Sequence, residues 1–168
     1  MSYSGSFRSR RVLILDTGPI RELVTYRADL FGLRSLGLEL RYLDSQNAYQ
    51  NTSTFLSQFQ KKLTSASVVA ELNCWIRDTP KQGRRTLWQM VSEEFERMGM
   101  EENMIEFQKM ELDLVTKYGP VDVSLLEIAR QNVAQNPTVL TIDSKLQGAC
   151  GEGGVSAMSL LEVCLQGT

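Results

Sequence analysis

Four carboxylates stand where short apolar runs end or where predicted helices begin. Asp16 follows the apolar run of residues 12–15, and Asp143 follows the run 138–142. Such runs are typical of strands buried on both faces of a parallel sheet, and ligands of open α/β sheets bind beyond the carboxyl ends of the strands. Glu71 lies on or beside the apolar stripe of a predicted helix, and Asp122 lies at the inward side of another helix start. The four carboxylates are therefore candidates for one shared site.

Each of these acids, taken alone, also has a purely structural interpretation. Asp16 or Thr17 would cap the helix that follows, and Asp122 is equally suited to capping. Glu71 would be a first-turn acid that the helix dipole favours. Four separate caps account poorly for the recurrence of acids at strand ends and inward helix starts. If the four carboxylates converge, any two of them about 4 Å apart repel by about 4 kcal/mol at an effective dielectric constant near 20. A converging set would take up protons or bind cations.

The residue types limit the chemistry that this site could perform. The chain has no histidine, which excludes serine–histidine and cysteine–histidine nucleophilic machinery. Its three cysteines, Cys74, Cys150 and Cys164, are odd in number and far apart, so we expect reduced thiols rather than disulfides or a zinc site. Oxygen ligands without histidine or paired cysteine select Mg²⁺ or Mn²⁺.

Length and composition predict one ordinary globular domain. The chain has 168 residues, of which 42% are hydrophobic and 23% charged, enough to bury roughly two-thirds of the unfolded surface. No apolar run approaches the roughly 20 residues of a membrane span, and the first residues lack the apolar core of a secretory signal. We expect a basic arm over residues 1–10, a single domain over 11–168, no membrane contact and a cytoplasmic location.

The net charge of −2 hides an uneven distribution along the chain. Residues 93–113 are strongly acidic, whereas two clusters are basic. A solvated surface accounts for such runs in most proteins, and the sharper interpretation is a polyanion site beside a repulsive or partner-binding face. The basic clusters are Arg8, Arg10 and Arg11, in the arm and directly after it, and Arg77, Lys81, Arg84 and Arg85 further along.

Hydrophobic periodicity and breaker residues predict the elements that position the candidate site. The predicted helices cover residues 19–33, 52–62, 63–77, 86–98, 101–118 and 121–136, and the predicted strands cover 12–15, 38–43 and 138–142. A helix is the alternative for residues 38–43. Residues 44–49 are predicted as a turn and 81–85 as a basic loop.

Four stretches carry a resemblance to a known family. Residues 14–17, 65–72, 122–129 and 140–146 resemble the four acidic motifs of the PIN domain, in the family's order, and the resemblance spans about residues 11–163. It implies an α/β fold, a three-layer α/β/α sandwich with a mainly parallel central sheet, whose last short strand lies within 153–158. It also implies a metal-dependent ribonuclease.

The resemblance carries over to individual residues. Asp16, Glu71, Asp122 and Asp143 match the acidic quartet, which implies that they are catalytic and hold Mg²⁺ or Mn²⁺. Thr17 and Thr141 match the hydroxyl positions and would place water or phosphate. Many relatives have a further acid shortly after the last aspartate, where this chain has Ser144, Lys145 and Leu146. That departure leaves the choice between one and two metals open.

The resemblance therefore implies an endoribonuclease that hydrolyses RNA phosphodiesters. Many relatives are toxins of toxin–antitoxin pairs and are often dimeric, which implies a homodimer and an antitoxin partner. Trp75 and Trp88 would stack on bases, or would simply belong to the core. The alternative function is an inactive PIN-like binding or assembly module; a receiver or phosphatase is disfavoured because Gly18 stands where a phosphatase needs a second aspartate. The residues expected to hold RNA are Lys145, Arg77, Lys81, Arg84 and Arg85.

Overall fold

The central element of the fold is a sheet of five strands in the order β3-β2-β1-β4-β5, in which every pairing is parallel. The structure is a computed structural model that describes residues 11–166. The strands are β1 (Val12–Leu15), β2 (Lys61–Ser65), β3 (Met100–Asn103), β4 (Thr138–Thr141) and β5 (Ser156–Ser159). The predicted fold class is confirmed: helices and an all-parallel sheet form a three-layer α/β/α sandwich.

Helices connect successive strands, as parallel pairing requires. They are α1 (Thr17–Leu30), α2 (Gln46–Ser57), α3 (Ala66–Arg77), α4 (Lys81–Met98), α5 (Leu112–Tyr118), α6 (Pro120–Gln131), α7 (Ser144–Glu152) and α8 (Leu160–Leu165). Helices α1, α3, α7 and α8 begin within three residues of the ends of β1, β2, β4 and β5. Strand ends and helix starts therefore share one edge of the sheet, which we call the carboxyl edge.

The core is built on β1, whose four residues are all fully buried. This strand lies between β2 and β4, so that an apolar run without polar alternation suits it. Helix α1 packs on α4, and α2 packs on α8. None of the helices in residues 11–166 is long and apolar enough to cross a membrane. The three cysteines are free thiols, whereas residues 1–10, with Arg8 and Arg10 of the predicted arm, lie outside the described range.

The predicted strand over residues 38–43 is wrong. This segment forms no strand, because its backbone donors are taken by a side chain instead of by a neighbouring strand. The N–H groups of Arg41, Tyr42 and Leu43 donate to the carboxylate of Glu22 at 3.0–3.2 Å. The Glu22 side chain comes from α1 and is buried.

The predicted helices over 52–62 and 63–77 are wrong in their boundaries. Helix α2 begins at Gln46, inside the predicted turn, because Ser45 caps it by accepting a hydrogen bond from the N–H of Ala48. Residues 61–65 form β2 between the two helices. Neighbouring Lys61 and Lys62 conceal this strand in the sequence, and it forms because β1 and β3 pair with it on either side.

The secondary structure of residues 81–118, which include the acidic run 93–113, also differs from the prediction. Residues 81–85 are the first turn of α4 rather than a loop, and α4 ends where Gly99 adopts a left-handed φ of 62°. The predicted helix over 101–118 divides into β3 and α5 with a short 3-10 turn between them. Pairing with β2 overrides the helix propensity of Glu101 and Glu102.

Candidate functional site

Asp16 lies at the carboxyl end of β1, where it combines two hydrogen-bonding roles. One oxygen, Oδ1, accepts from the N–H of Thr17 at 2.6 Å and so caps α1. The other, Oδ2, accepts from the hydroxyl of Thr141 at 2.7 Å. Burial raises the pKa of Asp16, and repulsion by Glu71 and Asp143 adds to the rise, against the two hydrogen bonds that lower it. The capping interpretation of Asp16 is therefore correct. Its carboxylate also belongs to the part of the carboxyl edge that carries Asp16, Glu71, Asp122 and Asp143, which we call the acidic edge.

Glu71 reaches the same edge from α3. It is the sixth residue of that helix, whose first turn has no acid, so the first-turn interpretation of Glu71 is wrong. Its Oε2 accepts the hydroxyl of Thr17 at 2.6 Å. The start of α3 is defined by Ser65, whose side chain accepts from the N–H of Val68.

Asp122 lies in the first turn of α6 and does not cap that helix, because the N-cap is Gly119 and no side chain caps it. Its pKa rises to about 7. Burial is the largest cause, and repulsion by Asp16, Asp143 and Glu71 follows, with a partial offset from Lys145. The charges of all three other acids thus act on Asp122, so the four carboxylates are close enough to repel one another.

Asp143 follows β4 and is exposed. Its Oδ1 accepts from the N–H of Lys145 at 2.7 Å and caps α7. Its own N–H donates to the hydroxyl oxygen of Thr141 at 2.9 Å. The fully buried Thr141 therefore connects the backbone of Asp143 to the carboxylate of Asp16.

A buried pair of serine hydroxyls lies between two helices of the site. The hydroxyl of Ser124 in α6 lies 2.8 Å from that of Ser65, so the start of α3 is tied to the first two turns of α6. These are the helices that carry Glu71 and Asp122. Sequence reasoning missed Ser124, which stands in an apolar stretch of α6; Ser65 was recognisable only as one of the serines before a predicted helix.

The four acids share a region without forming a metal cage. Within residues 11–166, no group of three or more Asp, Glu or Cys side chains is placed to hold a metal ion. The donor chemistry nevertheless fits Mg²⁺ or Mn²⁺, since the groups are carboxylates accompanied by hydroxyls. In the same part of the chain, none of the four forms an ion pair with lysine or arginine. Protonation or a bound cation would therefore reduce the repulsion between these carboxylates.

The predicted RNA-binding residues fall into two places. Lys145 is exposed in the first turn of α7, close enough for its charge to lower the pKa of Asp122. The other four lie where α3 ends and α4 begins. Arg77, Lys81 and Arg85 are exposed, but the guanidinium of Arg84 donates to the carbonyls of Thr79 and Arg77 and so closes the end of α3.

The two tryptophans are half-buried and pack against the hydrophobic core. Trp75 in α3 has the guanidinium of Arg21 over its ring at 5.1 Å from the centroid. Trp88 lies in α4. The core interpretation therefore holds for part of each ring, and Trp75 also contributes to the surface beside the acids.

Together, the sheet and the acids define an α/β sandwich with an acidic carboxyl edge. No protein-family model matches the chain, and no curated protein matches it significantly.

Proposed function

We propose that the protein is a Mg²⁺- or Mn²⁺-dependent endoribonuclease that hydrolyses RNA phosphodiesters, in the manner that its resemblance to PIN domains implies. The observation that carries the proposal is the environment of Asp122, whose pKa of about 7 reflects burial together with the charges of Asp16, Asp143 and Glu71. These acids come from four separate segments of the chain. A divalent cation would offset their repulsion, and phosphodiester chemistry is a use to which such a site is suited.

The chain's own residues would hold and orient the reacting groups. When bound, Mg²⁺ or Mn²⁺ supplies an activated water and stabilises charge on phosphate oxygens. Asp16, Glu71, Asp122 and Asp143 would hold the ion. Thr17 orients the carboxylate of Glu71 and Thr141 that of Asp16, through the hydrogen bonds described above. Exposed Lys145 would attract the phosphate backbone to an edge that otherwise repels it.

A second candidate is the PIN-like module without catalytic activity. It is favoured because three of the four carboxylates already accept hydrogen bonds, from two threonine hydroxyls and from the N–H groups at two helix N-termini. Oxygens that are used in this way are less free to bind a metal ion. It is also favoured by exposed apolar side chains in the acidic region, where Met104, Phe107 and Leu112 are 80%, 57% and 65% exposed. A homodimer, an antitoxin partner and a cytoplasmic location remain predictions under either function.

The test is cleavage of single-stranded RNA by the purified protein with Mg²⁺, Mn²⁺ or EDTA. We expect cleavage only with metal, and a loss of at least about 100-fold in Asp122→Asn, because the variant removes a carboxylate that would hold the ion. The variant keeps every hydrogen bond described for the site, so the loss would not come from a disturbed structure. Asp44→Asn, which changes an exposed aspartate in the loop before α2, is the matched control and should cleave like the parent. Cleavage that survives EDTA or Asp122→Asn would contradict the proposal, and metal binding without cleavage would favour the inactive module.

A further inference from the structure

A cavity of about 300 Å³ adjoins the acidic edge between α1, the end of α3 and the segment 36–41. Gly18 and Ile142 lie in its wall, directly beside Thr17 and Asp143. A side chain at Gly18 would collide with Ile142, because an added Cβ would lie 2.4 Å from Cγ1 of that residue. The absence of a side chain at Gly18 thus lets α1 pack against the end of β4, where the cavity meets the candidate site.

Two side-chain contacts between α1 and α3 connect the site to the cavity. Thr17 contacts Glu71 at the carboxyl edge, and Arg21 covers the ring of Trp75. In each helix the second residue lies four positions after the first, and both helices start at ends of parallel strands. The Arg21–Trp75 pair therefore lies about one helical turn, or about 5.4 Å, beyond the Thr17–Glu71 contact.

The cavity holds cations that the rest of the described chain does not pair. Within residues 11–166, neither Arg21 nor Arg41 has an ion pair, and neither guanidinium donates a hydrogen bond. Burial lowers the pKa of Arg21, and the nearby charge of Arg41 lowers it further.

Acids in and near the cavity offset part of this positive charge: Glu22, Glu71 and Asp78 raise the pKa of Arg21. The carboxylate of Glu22 is committed to three backbone N–H groups. The exposed side chain of Arg41 and the exposed guanidinium of Arg21, which lies over the ring of Trp75, thus remain available to a ligand that is both anionic and aromatic.

We infer that this cavity is a subsite for one nucleotide of single-stranded RNA, whose base stacks on the Arg21–Trp75 pair and whose phosphate contacts Arg41. Aromatic rings and guanidinium planes are the surfaces on which proteins stack unpaired bases. The volume is at the small end of the range for ligand pockets, which suits a single nucleotide. The inference rests on the proposed function and adds to it the contacts that would hold the nucleotide next to the cleaved bond.

Binding of nucleotides is measured first, without metal and therefore apart from cleavage. Trp88→Phe leaves Trp75 as the sole tryptophan, so its fluorescence reports on the cavity. In EDTA we expect 5′-nucleoside monophosphates to quench it saturably, and Arg21→Gln and Arg41→Gln, each in this background, to weaken binding by about tenfold. Arg11→Gln, which removes an exposed arginine before the amino end of β1, is the charge-matched control and should bind like the parent.

Three outcomes of this measurement would overturn the inference. The first is no saturable quenching by any of the four nucleotides at millimolar concentration. The second is equal weakening by Arg11→Gln, which would show a general charge effect. The third is inorganic phosphate that competes as well as a nucleotide, which would show an anion site without base stacking.

Cleavage patterns provide the second measurement. Trp75→Leu keeps an apolar side chain in the half-buried position but removes the stacking surface, whereas Trp75→Phe retains an aromatic ring. We expect Trp75→Leu, checked for folding by circular dichroism, to cut its preferred RNA sites about 5- to 150-fold more slowly, the range that base stacking supports, and Trp75→Phe to restore much of the rate. A folded Trp75→Leu with an unchanged pattern would overturn the subsite. If the parent cleaves nothing, the proposed function fails, and nucleotide quenching still decides the subsite.

Discussion

Side chains at the acidic edge serve structure and candidate chemistry at the same time. The two oxygens of Asp16 divide these roles, since one caps α1 and the other accepts from Thr141. Asp143 likewise caps α7 while its backbone donates to Thr141. A carboxylate at a strand end can therefore cap a helix and belong to a shared site at the same time. Asp122 differs from both, because it caps nothing and its pKa is raised to about 7, by burial first and then by the charges of the other acids.

Asp122→Asn should stabilise the metal-free protein at high pH. The pKa of Asp122 rises from 3.8 to about 7 on folding. Below about pH 4 the group is protonated in both states, so it costs nothing. As the pH rises to about 7, the unfolded state releases its proton first, and the parent loses stability. Because Asp122 is half-buried, we expect a gain of about 1–2 kcal/mol near pH 8 rather than the full value of the shift.

Urea unfolding in EDTA at about pH 4 and about pH 8 checks this prediction. The parent and Asp122→Asn should have closely similar free energies of unfolding at the lower pH and should diverge at the higher one. A variant that is less stable than the parent at high pH would mean that the carboxylates do not crowd one another.

Thr141→Val should destabilise the protein through two lost hydrogen bonds. The hydroxyl of Thr141 donates to Asp16 and accepts from the N–H of Asp143, all at the end of β4. We expect a loss of about 1–3 kcal/mol in the free energy of unfolding, because buried groups are left without partners. Thr138→Val, at the other end of the same strand, is the control and should change stability by less than about 0.5 kcal/mol. Equal effects of the two substitutions would contradict the argument.

At the scale of elements, single side chains replace backbone pairing at two places. Glu22 satisfies three N–H groups of residues 41–43, which therefore need no neighbouring strand. Arg84 satisfies two carbonyls where α3 ends. Both devices shape the wall of the cavity beside the acidic edge, because Arg41, Asp78 and Thr79 line it.

Arg84 and Arg85 should therefore behave differently when each is replaced by alanine. Arg84→Ala removes the partner of two carbonyls, and we expect it to lower the free energy of unfolding by about 1–2 kcal/mol. Exposed Arg85 should be replaceable at a cost below about 0.5 kcal/mol. If Arg85 contacts phosphates, Arg85→Ala weakens RNA binding and lowers the salt slope by about one unit. An unchanged slope would mean that Arg85, at the start of α4, does not hold the RNA backbone.

At the scale of the whole molecule, the parallel order of the strands gathers distant residues. Strand β1 lies at the centre, with β2 and β4 on either side. Residues 16, 71, 122 and 143 thereby approach one edge although more than 120 positions separate the first from the last. The acidic residues 101 and 102 are on the outermost strand β3, away from this centre.

A divalent cation should stabilise the whole fold if the carboxyl edge binds it. Mn²⁺ at about 100 times its dissociation constant would add about 2.7 kcal/mol to the free energy of unfolding. We expect the gain in the parent near pH 8 and a much smaller gain in Asp122→Asn, measured by thermal unfolding with and without Mn²⁺. NaCl at the same ionic strength controls for general screening of negative charge. Equal stabilisation of parent and variant would place any bound metal elsewhere.

Local sequence signals were sufficient for the elements that carry most of the acids. Residues 12–15 and 138–141 are apolar runs that end at an acid and a helix start, and both are strands. The helices around Glu71 and Asp122 follow from apolar periodicity, although β2 takes the first residues of the predicted helix that carries Glu71. These features are recognisable because neighbouring residues alone determine them.

Long-range pairing determined what the sequence left open. Strands β2 and β3 contain Lys61, Lys62, Glu101 and Glu102, and they exist because a formed strand lies beside each of them. The bonds of Thr17 to Glu71 and of Thr141 to Asp16 span 54 and 125 positions, which no local pattern encodes. The sequence by itself determined which acids end strands or enter helices, because that depends on adjacent residues. Only the tertiary structure decided which hydroxyls orient them and which arginines lie beside them, because those contacts arise from packing between distant segments.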